Sequence, residues 1–502
     1  MWHSREKYAD VQSAQENGQK DCKRESWYGC MKRYRGLSVF LIVVFLLWVV
    51  PFSAGAAAEF EVEDGVLIKY NGTGQAVTVP SGVYSIGDGA FAGNTQIKSV
   101  TIPDDVYYIG NNAFSGCRNL QTVDYTDSIV SVGAHAFDNT AWLGAQSDPY
   151  VCINAVLIAY NSTDKEAAVP QGVASIAAYA FANHLDITSV TLPDSVLEIG
   201  EGAFFDCQNL ASVSIPQTVQ SIGPLAFENT KWLAGYNEDF VVQGDGILIK
   251  YNGNSASAAI PDSVRQIAAG AFYQNKTIRS VTIPQSVFSI GMRAFAGCSG
   301  LAELALPASV FFIDDQAFAD CTALAAVRIP KTVTYLGSGA FSGCTALTTA
   351  TIDGSFHTLS SGAFSGCTAL EDVTVGIAVT DIQSEAFSGC TRLTQIKLLD
   401  TVAEIALDAF VNCPRLSISG YRLSYAYTYA RSCNIAFQAL SEKPGDINGD
   451  GNVSLTDVLE IQKYLSAVSQ LTPFQLRISD YDGNDRVNTS DVLAIQRAIA
   501  RL

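Results

Sequence analysis

Apolar positions in the middle of the chain return on a fixed beat. The dipeptide Ala-Phe recurs with its Phe at positions 91, 114, 137, 181, 204, 227, 272, 295, 318, 341, 364, 387 and 410. Ten of the twelve intervals are 23 residues; the other two are 44 and 45. One full unit reads Cys298-x-x-Leu301-x-x-Leu304-x-Leu306-Pro307-x-x-Val310-x-x-Ile313-x-x-x-Ala317-Phe318. About eight apolar positions per unit cannot enclose a core alone, so units must stack and bury them in one continuous column. The run before Pro, such as Ser99-Val100-Thr101-Ile102-Pro103, alternates and is rich in β-formers. It predicts one short strand per coil, ended by a Pro that has no N–H to give the ladder.

The two long intervals have their own pattern. Leu67-Ile68-Lys69-Tyr70-Asn71, Leu157-Ile158-Ala159-Tyr160-Asn161 and Leu248-Ile249-Lys250-Tyr251-Asn252 are copies of one another. The second and third follow Asn139-Thr140-Ala141-Trp142-Leu143 and Asn229-Thr230-Lys231-Trp232-Leu233. These segments read as β-hairpin insertions that lengthen one coil and divide the first half into three-coil blocks. The array closes with a helical stretch at 424–432 and a strand at 435–440, a cap without which the last coil would expose core.

Ile199-Gly200-Glu201-Gly202-Ala203-Phe204-Phe205-Asp206-Cys207-Gln208-Asn209-Leu210 carries the signature Ile-Gly-x-x-Ala-Phe-x-x-Cys-x-x-Leu complete. On this motif the repeat region, 59–440, resembles the BspA-like leucine-rich repeat family. The resemblance implies modules of adhesion and binding at bacterial surfaces rather than of catalysis.

Charge and composition narrow the function. Of 502 residues, 48 % are apolar and 16 % charged, which argues against disorder over most of the chain. A formal net charge of −18 makes a phosphate-backbone binder a poor reading, since that affinity comes from cationic side chains. Only four histidines, His3, His135, His184 and His357, are available for imidazole chemistry. No Gly-x-Ser-x-Gly, His-Glu-x-x-His or Gly-rich phosphate loop occurs.

The charge is also uneven. Residues 1–36 carry eight Lys/Arg against five Asp/Glu, and 36–58 carry no charge. The apolar run 37–50 falls short of the roughly 20 residues a membrane span needs. Small residues, Ser53-Ala54-Gly55-Ala56-Ala57-Ala58, follow it. A basic start, an apolar run and an Ala-x-Ala site together read as a secretory signal peptide at 31–58. Residues 1–30 then form an over-long start ahead of Met31-Lys32-Arg33-Tyr34-Arg35. The expectation is a secreted protein that meets a membrane only through this segment before cleavage; an uncleaved anchor helix is the competing reading.

Eight of the twelve cysteines (Cys117, Cys207, Cys298, Cys321, Cys344, Cys367, Cys390 and Cys413) share one repeat position, where Thr140, His184, Thr230 and Asn275 stand in elsewhere. Two readings are open. One is a disulfide ladder or metal chain. The other, which the sequence favours, is a small apolar residue filling a tight interior column, because free Cys is among the most buried residue types and 23 residues is not a chelating spacing. Between the repeated Val and Ile lie Tyr84, Tyr107, Tyr108, Phe288, Phe311, Phe312 and Tyr335. They form either an aromatic strip for sugar rings or a protein, or a partly buried sheet edge.

After a linker at 441–445 the composition changes. In residues 446–457 oxygen donors stand at loop positions 1, 3, 5, 9 and 12 (Asp446, Asn448, Asp450, Ser454, Asp457), with Gly451 at position 6 and the Asn452 carbonyl at 7. This is EF-hand spacing: a hard cation takes six to eight oxygens, and alternate positions of a tight loop turn theirs inward. Asp480, Asp482, Asn484, Asn488 and Asp491 repeat it, with Arg486 at the carbonyl position. Two calcium ions are expected. Asp485 holds the second loop's turn position, and Asp tolerates positive φ less well than Gly, so the second site is expected to be weaker.

Matching helices follow, Asp457-Val458-Leu459-Glu460-Ile461-Gln462-Lys463 and Asp491-Val492-Leu493-Ala494-Ile495-Gln496-Arg497. Two loop–helix halves with no preceding helix, at 446–502, resemble a type I dockerin. That resemblance implies binding to a cohesin module of a scaffoldin in a cellulosome-type complex. It assigns the cohesin contact to Leu455, Thr456, Gln462 and Lys463 in one half and to Thr489, Ser490, Gln496 and Arg497 in the other. The near-symmetry of Gln-Lys and Gln-Arg implies that a half-turn could offer either face, and the difference between Leu455 and Thr489 biases the choice. The fold expected is an α/β repeat solenoid (leucine-rich repeat, 23-residue period, short strand per coil) followed by a small all-α calcium-binding dockerin domain. The function expected is a secreted, non-catalytic component binding an unknown protein or glycan through its repeats. A surface adhesin or protease-inhibitor-like protein, and a glycoside hydrolase with an unrecognised site, remain as alternatives.

Overall fold

The structure, a computed structural model, describes residues 59–501 apart from 423 and 485. The proposed start at 1–30 and signal peptide at 31–58 lie outside the described residues. The described chain divides into two compact units, 59–300 and 301–501.

In the first unit each coil contributes two strands where the sequence predicted one. The expected run forms Ser99–Thr101, which pairs in parallel with Ala76–Thr78 and Thr122–Asp124 so that Val77, Val100 and Val123 align. The Ile of Val-x-x-Ile forms a second ladder of two-residue strands, Ser85–Ile86, Tyr108–Ile109 and Ser131–Val132, aligning Ile86, Ile109 and Val132. Parallel pairing at an offset of one period follows from the repeat, because identical sequence then meets identical sequence. Val100, Ile102, Val106, Ile109, Ala113, Phe114, Cys117 and Leu120 of a single coil are all buried. The Phe side chains form a column: Phe91 on Phe114 at 4.8 Å, Phe181 on Phe204 at 4.8 Å and Phe272 on Phe295 at 4.5 Å between centroids. These separations match the roughly 4.8 Å between neighbouring strands, so ring stacking and ladder hydrogen bonding reinforce each other.

The three copied segments are antiparallel hairpins: Phe60–Glu63 with Val66–Tyr70, Tyr150–Ile153 with Val156–Tyr160, and Phe240–Gln243 with Ile247–Tyr251. Ahead of the second and third lie one-turn helices, α1 (Ala141–Gly144) and α2 (Lys231–Ala234). Their N-cap hydroxyls, on Thr140 and Thr230, accept from the amides of Leu143 and Leu233 at 3.1 Å. The hairpin tyrosines continue the ring column, Tyr160 on Phe181 and Tyr251 on Phe272, both at 4.8 Å. Trp142 and Trp232 meet the last Phe of the preceding block, Phe137 and Phe227.

The second unit continues the pattern with Ala326–Ile329, Thr349–Ile352, Asp372–Val375, Gln395–Lys397 and Ser417–Gly420 in one parallel ladder. Phe318, Phe341, Phe364, Phe387 and Phe410 stack at 5.2–5.6 Å with interplanar angles of 4–8°. The cap is helix α3 (Tyr425–Ser432), which buries Ala426, Tyr429 and Ala430, and the strand Ala436–Ala439, which pairs with Ser417–Gly420. Tyr429 faces Phe410 at 6.1 Å and so ends the column.

Beyond the cap come α4 (Leu455–Leu465), α5 (Pro473–Ser479) and α6 (Thr489–Ile499). Helices α4 and α6 bury Val458, Ile461, Val492 and Ile495 around Ile447 and Leu471. Helix α5 corrects the expectation of loops without preceding helices, because it stands directly before the second loop. Thr472 caps it, Pro473 occupies its first turn, and Gln475 returns a side-chain bond to the cap.

Candidate metal loops and partner-binding helices

Both ends of the first loop are buried. Asp446 Oδ2 accepts from the Gly451 amide at 2.9 Å, while its Oδ1 is buried with no hydrogen-bond partner. Gly451 sits at φ +93°, a region open to glycine at no steric cost. Asn448 Oδ1 accepts from the Asp450 amide, and Asp450 Oδ1 from the Asn452 amide, each at 2.8 Å. These side-chain turns curl the loop around one centre. Hydrogen bonds from the Asn452 amide and the Asn448 side chain hold the Asp450 carboxyl below the usual carboxylate range. Asp457, fully buried, accepts from Asn448 N–H on Oδ1 and from Ser454 N–H on Oδ2, both at 3.0 Å. One carboxylate thereby ties the loop's start to the helix's start. Ser454 is the N-cap of α4, and its Oγ accepts from the Thr456 amide.

The second loop is built alike. Asp491 is fully buried; its Oδ1 accepts from Tyr481 and Asp482 amides and its Oδ2 from Asn488. Asp480 Oδ1 accepts from the Asn484 amide at 2.9 Å. Asn488 caps α6 through Ser490 N–H, and its Nδ2 donates to the Arg486 carbonyl at 3.3 Å. One oxygen from each of Asp480, Asp482 and Asp491 lies within 4.8 Å of the others. The expectation of a weaker second site rested on Asp485, which lies outside the described residues.

Three fully buried carboxylates, one with an orphaned oxygen, are costly without a compensating positive charge. The donors are all oxygen, the set a hard divalent cation takes. The residues of both loops fit calcium.

Of the proposed partner contacts, Leu455, Thr456, Gln462, Thr489, Ser490, Gln496 and Arg497 are exposed. Lys463 is half-buried and pairs with Glu460 at 2.8 Å. Leu455 is 66 % exposed, and Leu459 and Leu493 present matching apolar surface on α4 and α6.

Elsewhere the sequence candidates resolve into structure. Cys117, Cys207, Cys298, Cys321, Cys344, Cys367 and Cys390 are buried as thiols. In Cys117, Cys207, Cys298, Cys344, Cys367 and Cys390 the Sγ donates to the Phe carbonyl 26 residues earlier, as in Cys117 to Phe91 and Cys298 to Phe272. This fits a small residue filling an interior column, with that bond as the reason Cys suits the position; Cys413, the last of the eight, is half-buried. Burial pushes the Cys207 thiol up to about 11 and the Cys298 thiol up to about 12. Their unfolded value lies near 9. With folded values raised, the stability these thiols contribute is complete below about pH 9 and lost as pH climbs through 11 and 12. The thermal midpoint should therefore hold to about pH 9 and fall above it, less so in Cys298→Val; a midpoint flat from pH 8 to 11 would count against the buried-thiol column. His184 is half-buried against the edge of the Tyr160 ring, and burial lowers its pKa. Tyr84, Tyr107 and Phe311 are exposed, whereas Tyr108, Phe288, Phe312 and Tyr335 are half-buried. Tyr84 and Tyr107 lie on adjacent coils, the Tyr107 amide donating to the Tyr84 carbonyl.

A family profile described as BspA type leucine rich repeat region matches residues 70–144, 160–237, 249–371 and 289–417. The chain belongs to the BspA-type leucine-rich repeat family. Residues 444–500 match the dockerin type I domain. A comparison with curated proteins gave no match. Among solved structures, this BspA-type protein is similar to a leucine rich cell surface protein from Faecalibacterium prausnitzii, at 24 % identity over 73 % of this chain and 93 % of that one, with a TM-score of 0.29. A leucine-rich repeat protein from Bacteroides ovatus matches at 22 % identity over 75 % and 94 %, with a TM-score of 0.33. At such scores the assignment rests on the repeat and dockerin matches. Among the described residues, no helix is long and apolar enough to cross a membrane.

Proposed function

We propose that this BspA-type protein is an exported, non-catalytic component of a cellulosome-like assembly. Its dockerin binds a scaffoldin cohesin in a calcium-dependent way, and its repeats bind a protein, glycan or cell-surface ligand. The observation that carries the reading is the pair of loops in which a buried terminal carboxylate, Asp457 or Asp491, gathers loop amides and opens a helix. Asp446, Asn448, Asp450, Asn452, Ser454 and Asp457 would hold one ion, and Asp480, Asp482, Asn484, Arg486 (by its carbonyl), Asn488 and Asp491 the other. Bound calcium would supply the positive charge that offsets these buried carboxylates. Helices α4 and α6 are positioned by their loops, so ion uptake and the shape of the cohesin-binding surface are coupled. A link to polysaccharide breakdown follows from association with a scaffold of such enzymes.

The acidic repeats offer exposed Tyr84 and Tyr107 on adjacent coils, which favours stacking on a sugar or an apolar protein surface. A glycan array run beside a pull-down from bacterial culture supernatant separates the two ligand classes. Incubation with plant polysaccharides tests the non-catalytic reading: hydrolysis abolished by a single carboxylate substitution in the repeats would overturn it.

A further inference from the structure

Within the second unit the dockerin packs along the last coils of the repeats, through contacts that gather on its first loop, the segment after α4 and the start of α5. Lys397, in the strand Gln395–Lys397, donates from Nζ to the Asn448 carbonyl of the first loop at 2.8 Å. The same ammonium lies in the field of Asp446, Asp450 and Glu460. Lys331 donates to the Val468 carbonyl just beyond α4 at 3.0 Å. Asp400 accepts from the Phe474 amide at 3.1 Å, and the Phe474 ring lies 4.0 Å from that of buried Tyr421. Leu440 lies close over Gly449. These contacts touch the first loop, the edge of α4, the segment after it and the start of α5. None of these contacts involves α6, which packs against α4 through Val458, Ile461, Val492 and Ile495.

Size decides what this means for a partner. Helix α4 has 11 residues and is therefore about 16 Å long. A standard interface covers roughly 800 Å² on each side, far more than one such helix. The Lys397 and Lys331 contacts flank α4 at its two ends, so a footprint of that size centred on α4 would meet the coils that carry them, whereas none of the contacts above involves α6.

Resting on the cohesin reading above, we propose that the last repeat coils hold the dockerin through its first loop and the start of α5, so that α6, with Thr489, Ser490, Leu493, Gln496 and Arg497, is the face presented to a cohesin. The two halves, near-equivalent in sequence, become inequivalent in the full chain.

The test uses the full chain in calcium with two readouts. In amine-reactive labelling followed by mass spectrometry, Lys397 should react about tenfold more slowly than exposed Lys69; equal rates overturn the dock, whatever the cohesin result. Calorimetry with a panel of purified type I cohesins then compares Gln496→Ala/Arg497→Ala with Gln462→Ala/Lys463→Ala. The second-half pair should lose about tenfold more affinity than the first-half pair, and adding Lys397→Ala and Asp400→Ala should shrink that difference. Equal losses, or a larger loss in the first half, overturn the choice of face. Slow labelling of Lys397 without binding to any cohesin overturns the proposed function and the choice of face with it, but leaves the dock standing.

Discussion

Stripping calcium, or replacing Asp446 and Asp480 with Ala together, is expected to unfold the loop–helix halves while leaving the repeats folded. Both residues open their loops, and Asp446 is fully buried with one oxygen unpartnered. The apolar core of the dockerin is small, with six buried apolar side chains in its cluster, so ion binding is expected to carry a large part of its stability. A ligand held at about a thousand times its Kd adds about 4 kcal/mol to the folded state. Chelation should remove that contribution. Hydrogen exchange over α4 and α6 should rise steeply in chelator, with the amides of the repeat ladders unaffected, and the double variant should behave in calcium as the unsubstituted chain does without it. Unchanged protection of α4 and α6 in excess chelator would show that these loops fold without a cation.

The second large effect lies in the repeats. Phe341 is fully buried and stacked between Phe318 at 5.2 Å and Phe364 at 5.5 Å. Phe341→Ala removes a ring from the middle of a continuous column and leaves a cavity whose walls are strand-bound and slow to collapse. A loss of about 3–5 kcal/mol is expected, read as a lower denaturant midpoint for the repeat transition. Phe311→Ala, at an exposed position of a neighbouring coil, should stay within about 0.5 kcal/mol. Equal small effects at both sites would mean that the Phe column is not what holds adjacent coils together.

Much of this architecture was legible because repetition leaves a mark that local reading lacks. The Ala-Phe beat identifies the buried column, and the copied Leu-Ile-x-Tyr-Asn segments identify the hairpins. The second strand of each coil escaped, since two residues such as Ser85 and Ile86 carry no alternation to read. Helix α5 escaped for a different reason. Its signals were present in Thr472-Pro473-Phe474-Gln475, but seven residues between two stronger motifs read as linker. The assignment of each loop oxygen to an ion is part of the proposal, but the spacing of those oxygens was open to reading, because spacing is a local property of the chain. The dock of the repeats on the first loop was not: Lys397 lies 51 residues from Asn448 and Asp400 lies 74 from Phe474. Nothing in either segment alone announces its partner.

The central claim is that the two acidic loops build a calcium-dependent plug for a cohesin. The most direct test is one calorimetric titration of the full chain with the type I cohesin panel, run in calcium and again in excess chelator. We expect a one-to-one complex in calcium that weakens about tenfold or more on chelation. Affinity for a cohesin unchanged by chelator, or no binding to any member of the panel in calcium, would contradict the account.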